Sequence, residues 1–339
     1  MVPSSARPVL LVLRHCGLGD LITVQPALRA LRKRFPGHML VVTCPSWLVP
    51  LAEFFATADR FVSEIPRRGP IAVPGVDPSR HQDADAALMK NIPDEVTEAD
   101  VLVSLRTPGP ELLPIVAAIR PGLLVSYRYT PLAATPSYPD LDFSDHIMDR
   151  WRRLLSAVGA EFDDNDVGAE MRPPPDCCGC TIVHAGAGSP ARVWPEQRWA
   201  EVARHLLSKG HRVVLTGSKE ETPRAAEVAK AAGLPPEHNR CGTTDIMELA
   251  RLVAGARLVV SADSGVSHLA TALKRPALTL FGPVPPAWWG PPRGNPQHRT
   301  VWTGRTGDTY AGQPDPGLME ISAATVIGII DRMHAEEMI

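Results

Sequence analysis

The stretch Leu258 to Leu273 constrains the fold more than any other part of the chain. An apolar run, Leu258 to Val260, reads as a buried strand that stops at Ser261. Small and polar residues follow, and then Val266, Leu269, Ala270 and Leu273 recur at helical spacing, which predicts a helix over Gly265–Leu273. A strand feeding a helix through a tight loop is half of a parallel α/β unit. The first N–H groups of such a helix lack internal partners and carry the positive end of its dipole. Asp263 and Ser264 stand at that mouth, Gly265 admits a ligand close to the backbone, and His268 adds a donor one turn in. The arrangement suits a phosphate. The same residues also suit an ordinary Asp/Ser helix cap.

A second loop of this kind lies upstream. The short strand Cys180 to His184 runs into Ala185-Gly186-Ala187-Gly188-Ser189-Pro190-Ala191-Arg192, and Trp199, Val202, Ala203 and Leu206 then share a helix face. Two such loops at strand C-termini belong on one edge of a parallel sheet, where ligands of open α/β folds sit. Arg192 brings a cation to that edge. Together the loops suit a diphosphate.

The rest of the second half alternates cleanly. Strands are predicted at Thr181–Val183, Arg212–Thr216, Leu258–Ser261 and Ala277–Phe281, with helices at Glu196–Lys209, Glu220–Ala232, Asp245–Ala254 and Ile321–Met338. The first half opens with strand Val9–Leu13, loop Arg14–Gly19, helix Leu21–Arg34 and strand Met39–Thr43. Further strands are expected at Ala99–Leu105 and Gly122–Tyr127, and a helix over Asp145–Val158. Pro66 to Pro93 reads as a long loop, and Gly282 to Gly317 as a surface loop pinned by Trp288, Trp289 and Trp302. The polar, Pro-rich stretch Glu161 to Pro175 reads as the interdomain linker.

Composition excludes several classes. With 35 Lys plus Arg against 37 Asp plus Glu, no bulk charge draws the chain to nucleic acid. No window approaches a membrane span and the N-terminus lacks an apolar signal core, so a cytoplasmic protein is expected. Cys177-Cys178-Gly179-Cys180 has no second ligand pair, and no metal site or cofactor is expected.

The pattern Arg14-His15-Cys16-Gly17-Leu18-Gly19-Asp20-Leu21, followed by Gln25-Pro26-Ala27-Leu28-Arg29-Ala30-Leu31, resembles the N-terminal signature of glycosyltransferase family 9, the ADP-heptose:lipopolysaccharide heptosyltransferases. His184 to Trp199, Val213 to Glu221 and Asp263 to Pro283 are similar to that family's C-terminal motifs, in the same order. The resemblance is weakest between about Ala52 and Asp176. It implies an α/β fold of GT-B type, two Rossmann-like doubly wound domains facing across a cleft. Residues 1–165 would bind the acceptor and 176–320 the nucleotide sugar, with a C-terminal helix, 321–339, returning toward the first domain.

The resemblance also implies a reaction: inverting, metal-independent transfer of a heptose from ADP-heptose to an acceptor hydroxyl of a lipopolysaccharide core or related glycan. Asp20 would be the catalytic base, with Arg14 and Gly19 on the acceptor side. A cap for the first helix is the plain alternative for Asp20. A free carboxylate is a weak base for an alcohol, yet it suffices when the proton leaves late, as the oxygen bonds the anomeric carbon. Ser189, Arg192, Glu221, Thr244, Asp263, Ser264, Gly265 and His268 would hold the donor. Arg192 stands where the family usually has Lys, and Ser264 where Thr is common. Glu220 competes with Glu221 for the ribose, and Thr244 could simply cap the next helix.

Asp83-Ala84-Asp85 and Asp140-Leu141-Asp142 read as loop carboxylates rather than metal ligands. The run Arg29, Arg32, Lys33, Arg34 reads as a solvated helix face that could also meet an anionic lipid acceptor or the membrane surface. Other readings are a different nucleotide sugar, a small-molecule acceptor, or a non-catalytic nucleotide-binding module. A nicotinamide enzyme is disfavoured, because Gly17-Leu18-Gly19 lacks the third glycine of a dinucleotide fingerprint.

Overall fold

The computed structural model describes residues 7–14, 17–63, 98–110, 112–129, 139–161, 163–173, 175 and 178–339. His15, Cys16, most of the 66–93 loop's surroundings and that loop itself, Asp83, Asp85 and Cys177 lie outside the described residues. The chain forms two compact units, Met1–Asp166 and Val167–Ile339, which part within the polar, proline-rich stretch.

In the first unit β1 (Val9–Leu13) is buried along its whole length. It pairs in parallel with β2 (Met39–Cys44) on one side and β4 (Val101–Ser104) on the other. β3 (Arg60–Ser63) and β5 (Leu123–Val125) complete the order β3-β2-β1-β4-β5. Near-continuous apolar runs are what a parallel sheet covered on both faces requires. The strand order reverses between β1 and β4, which makes the crevice beyond their C-terminal ends the natural ligand position.

The expected single helix Leu21–Arg34 starts earlier and is divided. α1 spans Leu18–Thr23 and α2 Gln25–Arg34, with Val24 between them and Pro26 in the first turn of α2. α3 (Val49–Phe55) and α4 (Leu112–Ile119) add to the expected elements, and α5 (Ile147–Ser156) falls inside the predicted helix. Three residues of the basic run on α2 bond to the protein: Arg29 pairs with Asp166 at 2.6 Å and Arg32 with Asp59 at 2.7 Å, and Arg34 donates to the Val158 carbonyl at 2.7 Å. These arginines tie α2 to neighbouring segments, while Lys33 and Arg34 are exposed.

The second unit repeats the scheme. β6 (Thr181–His184), β7 (Val213–Thr216), β8 (Leu258–Ala262), β9 (Ala277–Leu280) and β10 (His298–Val301) stand in the order β10-β9-β8-β6-β7, all parallel. The order reverses between β6 and β8, the two strands that carry the phosphate-type loops. α6 (Glu196–Ser208), α7 (Thr222–Ala232), α8 (Ile246–Gly255) and α9 (Gly265–Ala272) match the predicted helices within two residues. The segment expected as a surface loop holds more: α10 (Pro286–Trp289), strand β10, and the start of α11 (Pro316–Glu320). Trp302 does pin part of it, donating to the carbonyls of Gly282 at 3.1 Å and Arg305 at 2.9 Å.

The terminal helix α12 (Ala323–Ala335) belongs to this second unit. Its Val326, Ile330 and Met333 enter one core with Trp199 and Val202 of α6, Val228 of α7 and the edge-to-face pair Trp194–Trp199, whose centroids lie 4.8 Å apart. His211 and His334 meet through their Nε2 atoms at 2.7 Å, and His205 bonds Asp331 at 2.8 Å. The helix that the resemblance sends toward the first domain is thus packed on the second, because its apolar stripe completes that core. Among the described residues no helix is long and apolar enough to cross a membrane.

Buried imidazoles make this unit acid-sensitive. Burial, aided by nearby Arg257 and His334, pushes His211 down to about 4; burial and the neighbouring His268 do the same for His298, also to about 4. An unfolded histidine binds its proton near 6.5, so between pH 6.5 and 4 the unfolded chain takes up more protons than the folded one. Stability is therefore full above about pH 6.5 and is lost as the pH falls toward 4. Thermal melts across that range should show a steady fall in melting temperature; a flat profile contradicts the buried neutral state of these residues.

Candidate active site

In the first unit Arg14 is the first residue past β1. Its N–H donates to the Thr43 hydroxyl of β2 at 2.9 Å, and its guanidinium reaches the Leu105 carbonyl just past β4 at 3.4 Å. Arg14 so spans the reversal point of the sheet. Its NH2 group forms an ion pair with Asp20 Oδ1, and its planar cation lies 5.0 Å from the Trp151 ring centroid. Arg14 is nearly buried while Asp20 keeps 23% of its side-chain exposure, so the carboxylate remains open to a substrate. Gly17, not Asp20, is the N-cap of α1. Asp20 stands three residues further on, and its Oδ2 accepts the Gly17 N–H at 3.0 Å. It stabilises the helix start from inside and does not act as the simple cap considered from sequence.

Three buried side chains that sequence reasoning missed complete this site. Trp151 covers Arg14 from α5. Arg150 donates to the carbonyls of Phe143 at 2.6 Å and Asp145 at 3.0 Å. Burial raises the Tyr127 phenol well above its ordinary range, with Arg150 and Arg14 pulling the other way, so the three lie within one another's field. The site is cationic around one carboxylate. Nothing in the local sequence links positions 14, 127 and 151; only the tertiary fold does. Gly19 stays in the first turn of α1, where its carbonyl accepts the Thr23 hydroxyl at 3.0 Å. Asp140 pairs with Arg128 at 3.2 Å and Asp142 accepts from Ser144, which keeps both in surface interactions.

In the second unit the loops after β6 and β8 meet. Arg192 ends a short 3-10 turn, Pro190–Arg192, and donates to the Asp263 carbonyl at 3.1 Å and to its carboxylate at 3.4 Å. Asp263 is nine-tenths buried and organises the cation; a bare carboxylate there would repel an anion. Ser264 is the N-cap of α9, yet its hydroxyl makes no capping bond and stays buried without a partner among the described residues. The Nε of Arg192 is in the same state. Two orphaned donors and the N–H groups of Gly265 and Val266 therefore gather at a helix N-terminus at the sheet's reversal point. Buried polar atoms rarely go unpaired, and here they are poised for an anion. His268 is buried one turn further along α9.

Glu221 closes a 3-10 turn, Lys219–Glu221, and accepts the Ser218 N–H at 2.7 Å through Oε2. Its carboxylate lies directly on Gly186, where an added Cβ would land on it, and near Gly217, where a Cβ would come within 3.0 Å of Oε2. Glu220 is exposed; bonds from its own N–H and the Ser218 hydroxyl hold its carboxyl below the usual value. Of the two, Glu221 is the one built into the site. Thr244 is not a cap, because Asp245 fills that role by accepting the Glu248 N–H at 2.7 Å. The turn before Thr244 is fastened to the Glu221 loop by the Gly242 N–H to the Gly217 carbonyl at 3.0 Å. Gly242 adopts φ +72, and a Cβ there would strike the Thr222 hydroxyl. Ser189, expected among the donor contacts, spends its hydroxyl inside the protein: it accepts the Ala191 N–H at 3.2 Å and donates to the Thr309 carbonyl at 2.5 Å. It shapes the loop.

A cavity of ≈ 610 Å³ opens beside these elements, lined by Ala187, Ser189, Pro190, Glu221 and Arg224 among others. Its size fits a small organic ligand. Arg192, Asp263, Ser264 and His268 are not part of its lining, so cavity and anion site are neighbouring features of one edge.

Residues 178–307 match the family model of glycosyltransferase family 9 (heptosyltransferase). The second unit therefore carries a glycosyltransferase family 9 domain. It is 26% identical over 306 residues to lipopolysaccharide heptosyltransferase 2 of Escherichia coli K12, covering 83% of this chain and 85% of that protein. The Salmonella typhimurium protein of the same name is 31% identical over 155 residues, a match that spans 44% of each. The solved structure of E. coli ADP-heptose lps heptosyltransferase II superposes with a TM-score of 0.73 at 20% identity, over 97% of this chain and 99% of that one. The two doubly wound parallel units are those of the GT-B fold that such family 9 structures share.

Proposed function

We propose that this protein is a glycosyltransferase of family 9 that transfers a heptose from ADP-heptose to a hydroxyl of a lipopolysaccharide-core acceptor or related glycan, with inversion and without a metal ion. The observation that carries the donor half is the pair of orphaned buried donors, Arg192 Nε and Ser264 Oγ, at the mouth of α9. The diphosphate binds there, its developing charge met by Arg192, the Ser264 hydroxyl, the α9 N–H groups and His268. Glu221 accepts from the ribose hydroxyls, and Thr244 faces the adenine. Asp20, aligned by Arg14, accepts the acceptor's proton as its oxygen bonds the anomeric carbon. The bond from that carbon to the phosphate oxygen breaks in the same displacement, and ADP leaves with its electron pair.

Two measurements test this reading. ADP and ADP-heptose should raise the melting temperature, since a ligand that binds only the folded state stabilises it, and UDP or GDP should raise it less. Equal shifts with all three nucleotides remove the case for adenine at Thr244. Transfer should also survive excess chelator; activity lost to chelator and restored by a divalent ion refutes the metal-free mechanism.

A further inference from the structure

The face of the second sheet opposite its large core carries two successive cross-strand rows of different character. Val214, Ile182, Val259 and Ala277 stand in register and are apolar, as a buried face should be. Two residues closer to the ligand edge the row becomes Thr216, His184, Ser261 and Thr279, again in register and all buried. Burying four polar side chains in a row is unfavourable unless they are hydrogen-bonded or serve a ligand. His184 Nδ1 lies 3.0 Å from the Thr216 hydroxyl. Ser261, beside His184 on β8, is wholly buried and its hydroxyl has no partner among the described residues.

The His184 and Thr216 end of this row lies next to the segments on which Glu221 packs. Gly186, against which the Glu221 carboxylate packs, is two residues past His184, and Gly217, which the same carboxylate approaches, directly follows Thr216. Glu221 is also the charged group whose field acts on the His184 imidazole, while burial holds that imidazole neutral. The Thr216 hydroxyl is able to donate to Nδ1; in that arrangement the ring proton sits on Nε2, and His184 is a neutral donor near the carboxylate. We propose that His184, fixed in this tautomer by Thr216, is a positioning residue that sets the Glu221 carboxylate for the two ribose hydroxyls of the nucleotide donor. The proposal rests on the reading of Glu221 as the ribose acceptor.

The test compares ADP with 2′-deoxy-ADP and 3′-deoxy-ADP by titration calorimetry. In the unsubstituted protein, loss of a hydroxyl that bonds Glu221 should weaken binding roughly tenfold or more. Glu221→Gln should shrink that penalty; if the unsubstituted protein shows no penalty at all, the ribose reading of Glu221 fails and His184 falls with it. Given the penalty, His184→Gln and Thr216→Val should each weaken ADP and cut the ribose-hydroxyl penalty to below about threefold, while the deoxy nucleotides bind nearly as before. A merely structural role would weaken all three nucleotides alike. Should His184→Gln fail to fold, Thr216→Val decides, since valine keeps threonine's shape and removes only the hydroxyl. A full penalty retained in the folded variants overturns the proposal.

Discussion

Asp20→Asn is expected to lower the transfer rate roughly 10²–10⁴-fold, the usual loss when a general base is removed. ADP affinity should stay nearly unchanged, because the residues proposed to hold the nucleotide all belong to the second unit. Stability should fall measurably. The carboxylate serves two donors at once, Arg14 through Oδ1 and the Gly17 N–H through Oδ2. Asparagine has one acceptor oxygen and must turn its amide N–H toward one of those donors. Breaking a fully buried ion pair costs about 3–5 kcal/mol; Asp20 is partly open to solvent, so the cost here is smaller. Rate, ADP affinity and melting temperature measured on one preparation separate the outcomes. Near-normal transfer by the folded variant would reduce Asp20 to a helix-stabilising residue, and Asp142 and Asp145 would become the next candidates for the base.

Gly186→Ala should remove most donor binding while leaving the fold nearly intact. An added Cβ would occupy the position of the Glu221 carboxylate. That group is the end of a flexible side chain, so it can swing away at little cost to stability. The donor site cannot follow. A displaced Glu221 loses its hydrogen bonds to the ribose, each worth about 1.5–3 kcal/mol with a charged acceptor, or roughly 10- to 150-fold in affinity. Titration with ADP, together with a melting curve, checks both halves. Unchanged ADP affinity would show that Glu221 does not touch the nucleotide. A large drop in melting temperature would place Gly186 in the folding core.

The second unit was largely legible in the sequence because β6, β7 and β8 are short apolar runs, each followed by small residues and a helix of clear 3.6-residue period. The first unit was less so. β3, Arg60-Phe61-Val62-Ser63, is an edge strand with polar ends, and α4 is apolar nearly all round with a proline in its first turn, so neither presents a clear period. β10, His298-Arg299-Thr300-Val301, has the same edge-strand character and was hidden in a segment dense in proline and glycine.

The site shows the same division. Arg192, Asp263, Ser264 and Gly265 follow directly from strand-to-helix loops, and the fold brings them to one edge. Ser189's engagement with Thr309, Trp151's place over Arg14 and the packing of Glu221 on Gly186 connect positions far apart in the chain. Local pattern cannot reveal them. The sequence leaves Thr244 open between cap and ligand contact, and the fold gives the cap to Asp245.

The central claim is tested most directly by supplying ADP-heptose and a heptose-deficient lipopolysaccharide-core acceptor to the protein, and reading ADP release and the anomeric configuration of the product by NMR. The account predicts one ADP released for each sugar transferred, with the configuration at the anomeric carbon opposite to that in the donor. A product that retains the donor's configuration contradicts the single displacement with Asp20 as base, and donor left unconsumed in the presence of that acceptor contradicts the assignment of heptosyl transfer itself.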